Sequence, residues 1–590
     1  MERIDFDSLA ARIEGPLLLP GQEGFDEERA GFNLAVRHRP EVIVGAARTE
    51  DVTAAVAFAG AHDLPVAVQN TGHGFSVPAE RGLLITTRRM DAVHVDPRTR
   101  RAYVGAGARF DRVIPEAARH GLAPLNGSAP HVGVVPYTLG GGLALLGRSH
   151  GWAADRVLAM DVVTADGRLR HVTPDSEPEL YGALLGARDN FGIVTGMEFG
   201  LVPVTRLYGG GLFYDAERTP GILDAYRQWT ATVPEEMNSS AALIPFPDDP
   251  HVPAPMRGRH VCHVRVAFTG SPEAGERLVE PLRRAGPRLL ESLRDLPYEQ
   301  SADIHDDPPV PMPWAADNAF LADLDGDTVR TILRHTGPGA PVPAIVELRH
   351  LGGALARRPA HPNTVGHRDA RFMLAVLTPL TGTSVVTADA FLKGVFKDLE
   401  PWTSGRFLNF MGHGVNAGPE RTRTAYTPDD HRRLTALKAD YDPRNIFRLN
   451  YNIPPRPAGA PRQEFPLSAA FRPVDTPGSS VTFINVFEVS AEHLDAFVAQ
   501  WEQRAALMST KPGFLDSRLH RARSSSTRFQ LVNVAHWESR EAWEAATSDD
   551  DFRRRTRAAQ NDPQAQITSS PGLYDVAVEF STTAPSRWRP

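Results

Sequence analysis

The sequence predicts an α+β fold divided among several domains, and three observations carry that expectation. The chain has 590 residues, more than one hydrophobic core ordinarily organises, so two or three domains are expected. Over roughly the first third, short β-rich runs alternate with one or two helical segments. At 454–466 the texture changes to PPRPAGAPRQEFP, a Pro- and Gly-rich polar stretch without apolar periodicity that reads as a semi-rigid linker. The patterns that follow it order themselves as a βαββαβ-like unit, long enough to fold alone.

Composition narrows the function classes. A net charge of −7 lacks the basic excess that phosphate backbones demand, which excludes nucleic acid as a partner. Apolar runs fall short of the roughly 18–20 residues of a membrane helix. The N-terminus, MERIDFDSLAARIEG, carries early acids in place of a secretion signal, so no membrane partner and a cytoplasmic location are expected. The single cysteine, Cys262, leaves no intramolecular disulfide and no Cys-rich metal or iron–sulfur site. Redox chemistry would then have to come from a bound cofactor.

Taken in order, the segment from Thr49 to Asp63 places Val52, Ala55, Val56 and Ala59 at i, i+3, i+4 and i+7 and predicts a helix, with Glu50 and Asp51 at its positive end. Pro65 ends it, and VAV (66–68) reads as a buried strand. QNTGHGFS (69–76) then sets glycines on both sides of His73. Bare backbone N–H groups at Gly72 and Gly74 suit close approach of a diphosphate; an ordinary turn with a surface histidine has the same composition. VGAGARF (104–110) half resembles a dinucleotide fingerprint but lacks the third glycine and a later acidic residue, so no nicotinamide site is expected.

Three consecutive glycines at 140–142 stand inside VGVVPYTLGGGLALLGRSHGWAAD (132–155). Each weakens regular structure by about 1 kcal/mol. Their apolar flanks argue against an exposed loop, so something flat or anionic is expected against that backbone. VLAMDVVTADGRLRHV (157–172) reads as a hairpin turning at Asp166 and Gly167, and RDNFGIVTGMEFGLVPV (188–204) adds a glycine turn within a strand. HVCHVRV (260–266) puts His260, Cys262 and Val264 on one strand face and His263 on the other, which pairs no metal ligands. Glu347 and His350 alternate with Val346 and Leu348 on another strand. Beyond the linker, strands are expected at 481–489, 528–537 and 574–580, with helices at 493–508 and 540–546.

Nine segments in order carry a resemblance: LPGQEGFDEERAGFN (19–33), TEDV (49–52), PVAVQNTGHGFS (65–76), VGAGARF, GSAPHVGV…TLGGG (127–142), VVTADG (162–167), DNFGIVT (189–195), ELRHLGGALAR…HRDARF (347–372) and YDPRNIFRLNYNIP (441–454). Together residues 15–455 resemble the FAD-linked oxidases of the vanillyl-alcohol oxidase superfamily, in the berberine-bridge-enzyme-like branch. The tail resembles the antibiotic-biosynthesis monooxygenase family on VTFINVFEV, KPGF (511–514) and the LVNVAHWES-REAWEAA element. The resemblance implies a two-part FAD-binding domain of the PCMH type at 1–204 (core 38–204) and an antiparallel-sheet substrate domain at 205–440. It also implies a segment at 441–455 returning to the flavin, a linker at 456–478 and a ferredoxin-like α+β barrel at 479–585, through which such chains pair as homodimers.

It further implies that His73 bonds the 8α methyl of FAD and that Asn70, Thr71, Gly72, Gly74, Phe75 and Ser76 wrap the diphosphate. Val132, Gly133, Thr138, Gly140, Gly141, Gly142, Asp155, Gly192, Ile193, Val194, Asn450 and Asn452 would complete the flavin site. Ala129 stands where many relatives place a second, cysteinyl link, so one attachment is expected. Val132 occupies the oxygen-gate position, which favours O2 as acceptor. Ala144 replaces a glycine, Tyr137 follows Pro136 in place of a glycine, and Leu143 stands where some relatives have a catalytic tyrosine. Tyr451 is the expected base, its phenol lowered by neighbouring cations; Glu347, His350 and His367 are expected to protonate, orient or bind substrate, or else to be satisfied structural groups.

In the tail, Asn485, Asn533 and Trp537 would line a pocket, and the lack of any histidine after His536 excludes haem ligation. The implied activity is oxidation of a C–OH or C–NH centre, or a phenol, of a secondary metabolite, an aromatic polyketide, by hydride transfer to flavin N5. The alternatives are a bifunctional oxidase and cofactor-free monooxygenase, or a carbohydrate oxidase whose tail serves only to dimerise.

Overall fold

Val42–Gly45, Val66–Gln69 and Leu83–Thr86 are apolar nearly throughout, the pattern of strands covered on both faces. In the computed structural model they pair in parallel, with Leu83–Thr86 between the other two and Leu17–Leu18 antiparallel at one edge. The structure describes residues 4–74, 77–412, 418–457, 481–489, 493–522, 530–549, 551–552 and 567–574. The crossover between the first two strands is the expected helix, Thr49–Ala61. Its predicted face is fully buried and packs with Val163 and Ile193 of a second sheet.

That second sheet is antiparallel, in the order Val93–Asp96, Arg101–Gly105, Ile193–Gly200, Val157–Val163, Leu169–Val172. The hairpin forms as read, with residues 164–168 as its connection and Gly167 at φ 72°. In VGAGARF the glycines serve backbone packing, since a Cβ on Gly105 or Gly107 would lie 2.2 Å from the carbonyl oxygen of Met90 or Thr87.

A third, nine-stranded antiparallel sheet follows, with Met237–Pro245 and Ile345–His350 near its centre. One face, including Tyr214, Cys262, Val264, Val346 and Leu374, is buried against helices Ile222–Thr230, Pro272–Arg283, Gly326–Thr336 and Val385–Asp398. Period two sends His263, Arg265, Glu347 and Arg349 to the opposite face. This corrects the grouping of Glu347 with His350: their odd spacing places them on opposite sides of the strand, and the His350 ring stacks on Phe372.

After helix Pro428–Tyr441 the chain returns to the first sheet, where Val66 N donates to Ile446 O at 2.8 Å. Asn190 holds the returning segment: its Nδ2 donates to Tyr451 O at 3.0 Å and its Oδ1 accepts from Ile453 N at 2.8 Å.

The chain divides into two units, Met1–Arg462 and Gln463–Pro590. In the second, Val481–Val489, Phe514–Arg521, Leu531–Trp537 and Ile567–Tyr574 form one antiparallel sheet, with helices Leu494–Met508 and Arg540–Thr547 between them in sequence. In order of appearance the strands lie 2-3-1-4, the ferredoxin-like order. The sheet is open: among the described residues its outer strands do not pair to close a barrel. Phe514–Arg521, whose side chains are mostly exposed, lacked the apolar pattern that would have marked it as a strand. The last strand is described at Ile567–Tyr574; residues 575–580, where it was expected, lie outside the described residues.

Candidate functional site

Strand Val66–Gln69 delivers the His73 loop, and a neighbouring segment pins it: Phe32 N donates to Thr71 O at 2.9 Å and Asn33 N to Gly72 O at 3.1 Å. Asn70 Nδ2 donates to Ala106 O at 2.9 Å, and a Cβ on Gly133 would fall 2.3 Å from that nitrogen. The His73 ring stacks on Phe32 at 4.0 Å and meets His131 at 4.9 Å. Its Nδ1 lies 2.8 Å from Thr71 Oγ1, while Nε2 is buried with no partner among the described residues. Burial, with the His131 and Arg109 charges against a weaker pull from Asp307, pushes its pKa down to about 3. The imidazole is therefore neutral at ordinary pH. An exposed turn histidine would have none of these features. Phe75 and Ser76 lie outside the described residues.

Gly133 precedes the short helix Val134–Leu139, and Thr138 O accepts from Gly141 N at 2.9 Å. Gly141 and Gly142 take φ of 111° and 69°. What crowds the triplet is protein: a Cβ on Gly140 would lie 1.8 Å from Asn409 Oδ1, and one on Gly142 2.6 Å from Ala153 Cβ. Side chains distant in sequence thus already account for the need for glycine at these positions. Val132 contributes its carbonyl to Phe110 N at 3.2 Å.

Asp155 is held by protein partners. Both its oxygens accept from Arg368, at 2.9 and 2.6 Å, and Oδ1 also from Asn363 at 2.9 Å, so this carboxylate ties two segments together. Gly192 lies against Val162 and Val163, and Ile193 and Val194 face two hydrophobic cores.

The four expected catalytic side chains do not converge. Tyr451 is buried, and its hydroxyl donates to Met411 O and, at 3.1 Å, to Gly412 O. Burial raises its pKa well above the ordinary phenol value, with Arg188 and Arg421 opposing, so the expected lowering is reversed. His367 Nε2 meets Thr424 O at 3.2 Å. His350 accepts from Arg148 Nη1 at 3.0 Å, and burial followed by the Arg148 charge pushes it down to about 3. Glu347 is buried between Arg265 (3.0 Å), Arg349 (2.9 Å) and His305 (3.4 Å). Although burial alone would raise it, the Arg349 charge, the His305 hydrogen bond and the Arg265 charge hold its carboxyl well below the usual range, so it is a fixed anion and a poor base. Asn450 and Asn452 each leave a buried Oδ1 without a partner among the described residues.

The sequence reading gave no site role to Phe32, His131, Tyr137, Arg148, Arg265, His305 or Arg349. Arg349 links this sheet face to the 127–142 segment: its guanidinium lies 5.1 Å from the Phe410 ring centroid and Nη2 is 3.5 Å from Ser128 Oγ. The Tyr137 hydroxyl is buried without a partner among the described residues. Opposite charges at 347 and 349, and His263 with Arg265, shared a strand face by spacing alone, and that signal was available.

Residues 40–173 match the family model described as FAD binding domain, 394–454 that of berberine and berberine-like proteins, and 480–557 that of antibiotic biosynthesis monooxygenases. The (R)-6-hydroxynicotine oxidase of Paenarthrobacter nicotinovorans is 27% identical over 473 residues, 75% of this chain and 97% of that protein. A FAD-dependent monooxygenase of Penicillium roqueforti is 31% identical over 216 residues, 36% of this chain and 42% of its own. The solved carbohydrate oxidase of Microdochium nivale superposes with a TM-score of 0.66 at 21% identity, over 76% of this chain and 99% of that one. The homologues are FAD-linked oxidoreductases of the berberine-bridge-like branch, and the chain is an FAD-dependent oxidoreductase. More particularly, it is an FAD-dependent oxidase with a ferredoxin-like monooxygenase-family domain at its C-terminus. The residues present fit the cofactor: a glycine loop follows a parallel strand, and a neutral, stacked histidine presents a buried nitrogen without a protein partner.

Proposed function

We propose that this enzyme holds FAD covalently through His73 alone and oxidises a C–OH or C–NH centre, or a phenol, of an aromatic polyketide, with O2 as acceptor. The observation that carries the attachment is the His73 ring itself: stacked on Phe32, neutral, with Nδ1 engaged by Thr71 and Nε2 unpartnered. A neutral imidazole keeps the lone pair that a protonated one lacks, and stacking fixes its direction. Ala129 offers no thiol for a second bond.

Bound FAD would take a hydride from a substrate carbon and pass the electron pair to O2, yielding peroxide. The chain's share is placement. Backbone N–H groups of the 70–74 loop, steadied by Phe32 and Asn33, would face the diphosphate. Glu347, fixed as an anion, orients the Arg265 and Arg349 guanidiniums on the sheet face away from the helices. The polyketide assignment is supported by the tail's family match. We further propose that the tail pairs with a second copy, since its face away from the helices carries Ile484 opposite Val534 and Val486 opposite Val532.

The test is acid precipitation of the purified yellow protein and spectra of pellet and supernatant, for wild type and His73→Ala. Flavin retained by wild type and released by the variant is expected; release from wild type would overturn the attachment. A second reading, in which the tail oxygenates the same intermediate, is favoured by the Asn485 and Asn533 pair discussed below.

A further inference from the structure

The face of the large sheet away from its helices carries a row of side chains read directly from its register. Ser240 stands opposite Arg265 on one neighbouring strand and opposite Arg349 on the other. Residues so paired share a face, their Cβ atoms some 5 Å apart. The next row is His263, Ala242 and Glu347. A cavity of about 40 Å³ lies over the first row, lined by Ser240, Arg265, Arg349, Arg148, His305 and His350 among others.

Charge does not balance there. Arg265 and Arg349 share one carboxylate, Glu347, which takes Arg265 Nη1 and Arg349 Nε. Between them Ser240 Oγ is buried without a partner among the described residues. Arg148 is 7% exposed. Its guanidinium donates only to the Met237, Leu351 and Pro234 carbonyls and to His350 Nε2, with no carboxylate in contact among the described residues. Glu235 acts on Arg148 from a distance while paired with Arg357, and Asp307 acts on Arg349, His305 and His73 alike. His305 and His350, both lowered by burial, add no charge at neutral pH. Three buried guanidiniums thus face one contacting anion, an arrangement buried charges adopt when a further anion completes them.

We propose that this row is a subsite for a carboxylate carried by the substrate, held by Arg265, Arg349 and Ser240 in the field of Arg148. This deepens the oxidase reading and rests on it for the word substrate. Planar forks on both sides of one hydroxyl match a planar carboxylate.

The probe is benzoate, titrated into full-length holoenzyme with calorimetry and flavin difference spectra, against benzamide, its neutral isostere, and inorganic phosphate. Benzoate is expected to bind at least tenfold more tightly than benzamide and to outcompete phosphate. Ser240→Ala should weaken benzoate roughly tenfold, the loss of one hydrogen bond to a charged group, with benzamide unmoved. Equal binding of benzoate and benzamide, no binding of either, or preference for phosphate would overturn the subsite. Because the comparison is made on wild type, misfolding of the variant does not blunt it. Calorimetric binding does not require a histidyl link, so failure of the His73 proposal would leave this result standing, and the reverse also holds.

Discussion

Lys438 and Asp442 form a buried ion pair at 2.8 Å, with side chains 0% and 1% exposed, and its removal should loosen the segment that carries Asn450, Tyr451 and Asn452. The ammonium also donates to Asn190 O and Phe447 O, at 2.5 and 3.0 Å. The carboxylate also accepts from Ile446 N and Phe447 N, at 2.8 and 3.0 Å. Removing one partner of such a pair costs about 3–5 kcal/mol. Lys438→Met should lie near the lower end, because Asp442 keeps two N–H donors. Asp442→Asn should lie near the upper end, because the new amide must either turn its own N–H toward a buried ammonium or give up a backbone donor. The double variant Lys438→Met/Asp442→Asn should lose less than the two singles combined, since neither charge is left stranded. The assay is urea unfolding of all four proteins at pH 7, followed by circular dichroism and flavin absorbance. Singles within about 0.5 kcal/mol of wild type, or strictly additive losses, would refute the reasoning.

Tyr451→Phe should cost about 1 kcal/mol of stability and change flavin reduction less than tenfold, measured by stopped flow; a loss of several orders of magnitude would restore Tyr451 as base. Acid should destabilise the protein through His38 and His350, pushed down to about 4 and 3 chiefly by burial. Between those values and the unfolded value near 6.5 the unfolded chain binds protons that the native chain does not, so stability falls with pH at about 1.4 kcal/mol per unit per histidine. His38→Gln, whose amide oxygen can still accept from Ala79 N, should flatten that slope in urea midpoints taken from pH 7 to 4. In the tail, Trp537→Ala should unfold the unit, whereas Asn485→Ala should leave it folded, as read by circular dichroism.

Local periodicity carried much of the fold. The face of Thr49–Ala61, the hairpin at Asp166–Gly167 and the tail's first and third strands and both its helices were legible because each is set within about 15 residues. The His73 loop was legible for the same reason. The rest depends on partners remote in sequence. The glycine triplet also makes room for Asn409 and Phe407, which nothing local in the sequence places beside it. Tyr451 was read as a base because its partners, the carbonyls of Met411 and Gly412, carry no sequence signature. The Arg265, Ser240 and Arg349 row requires the register of three strands, which no local pattern supplies.

The tail bears on whether its domain merely assembles. Its helix-covered face holds two separate apolar clusters, one around Trp537, Val481 and Met508, the other around Phe487, Phe497 and Leu531. Between them stand Asn485 and Asn533, directly opposite one another in the register. Ser517 Oγ donates to Asn533 Oδ1 at 2.9 Å, while Asn485 Oδ1 is buried without a partner among the described residues. An unpaired buried amide oxygen costs about 1–3 kcal/mol, and two leucines there would fuse the clusters into one core. A module selected only to pair with its copy gains nothing from that penalty, because pairing would use the opposite face, with Ile484 and Val534. The asparagines therefore argue for a ligand between the clusters. Trp537, 1% exposed and edge-on to Phe514 at 5.2 Å, anchors the first of those clusters and cannot be removed without losing it.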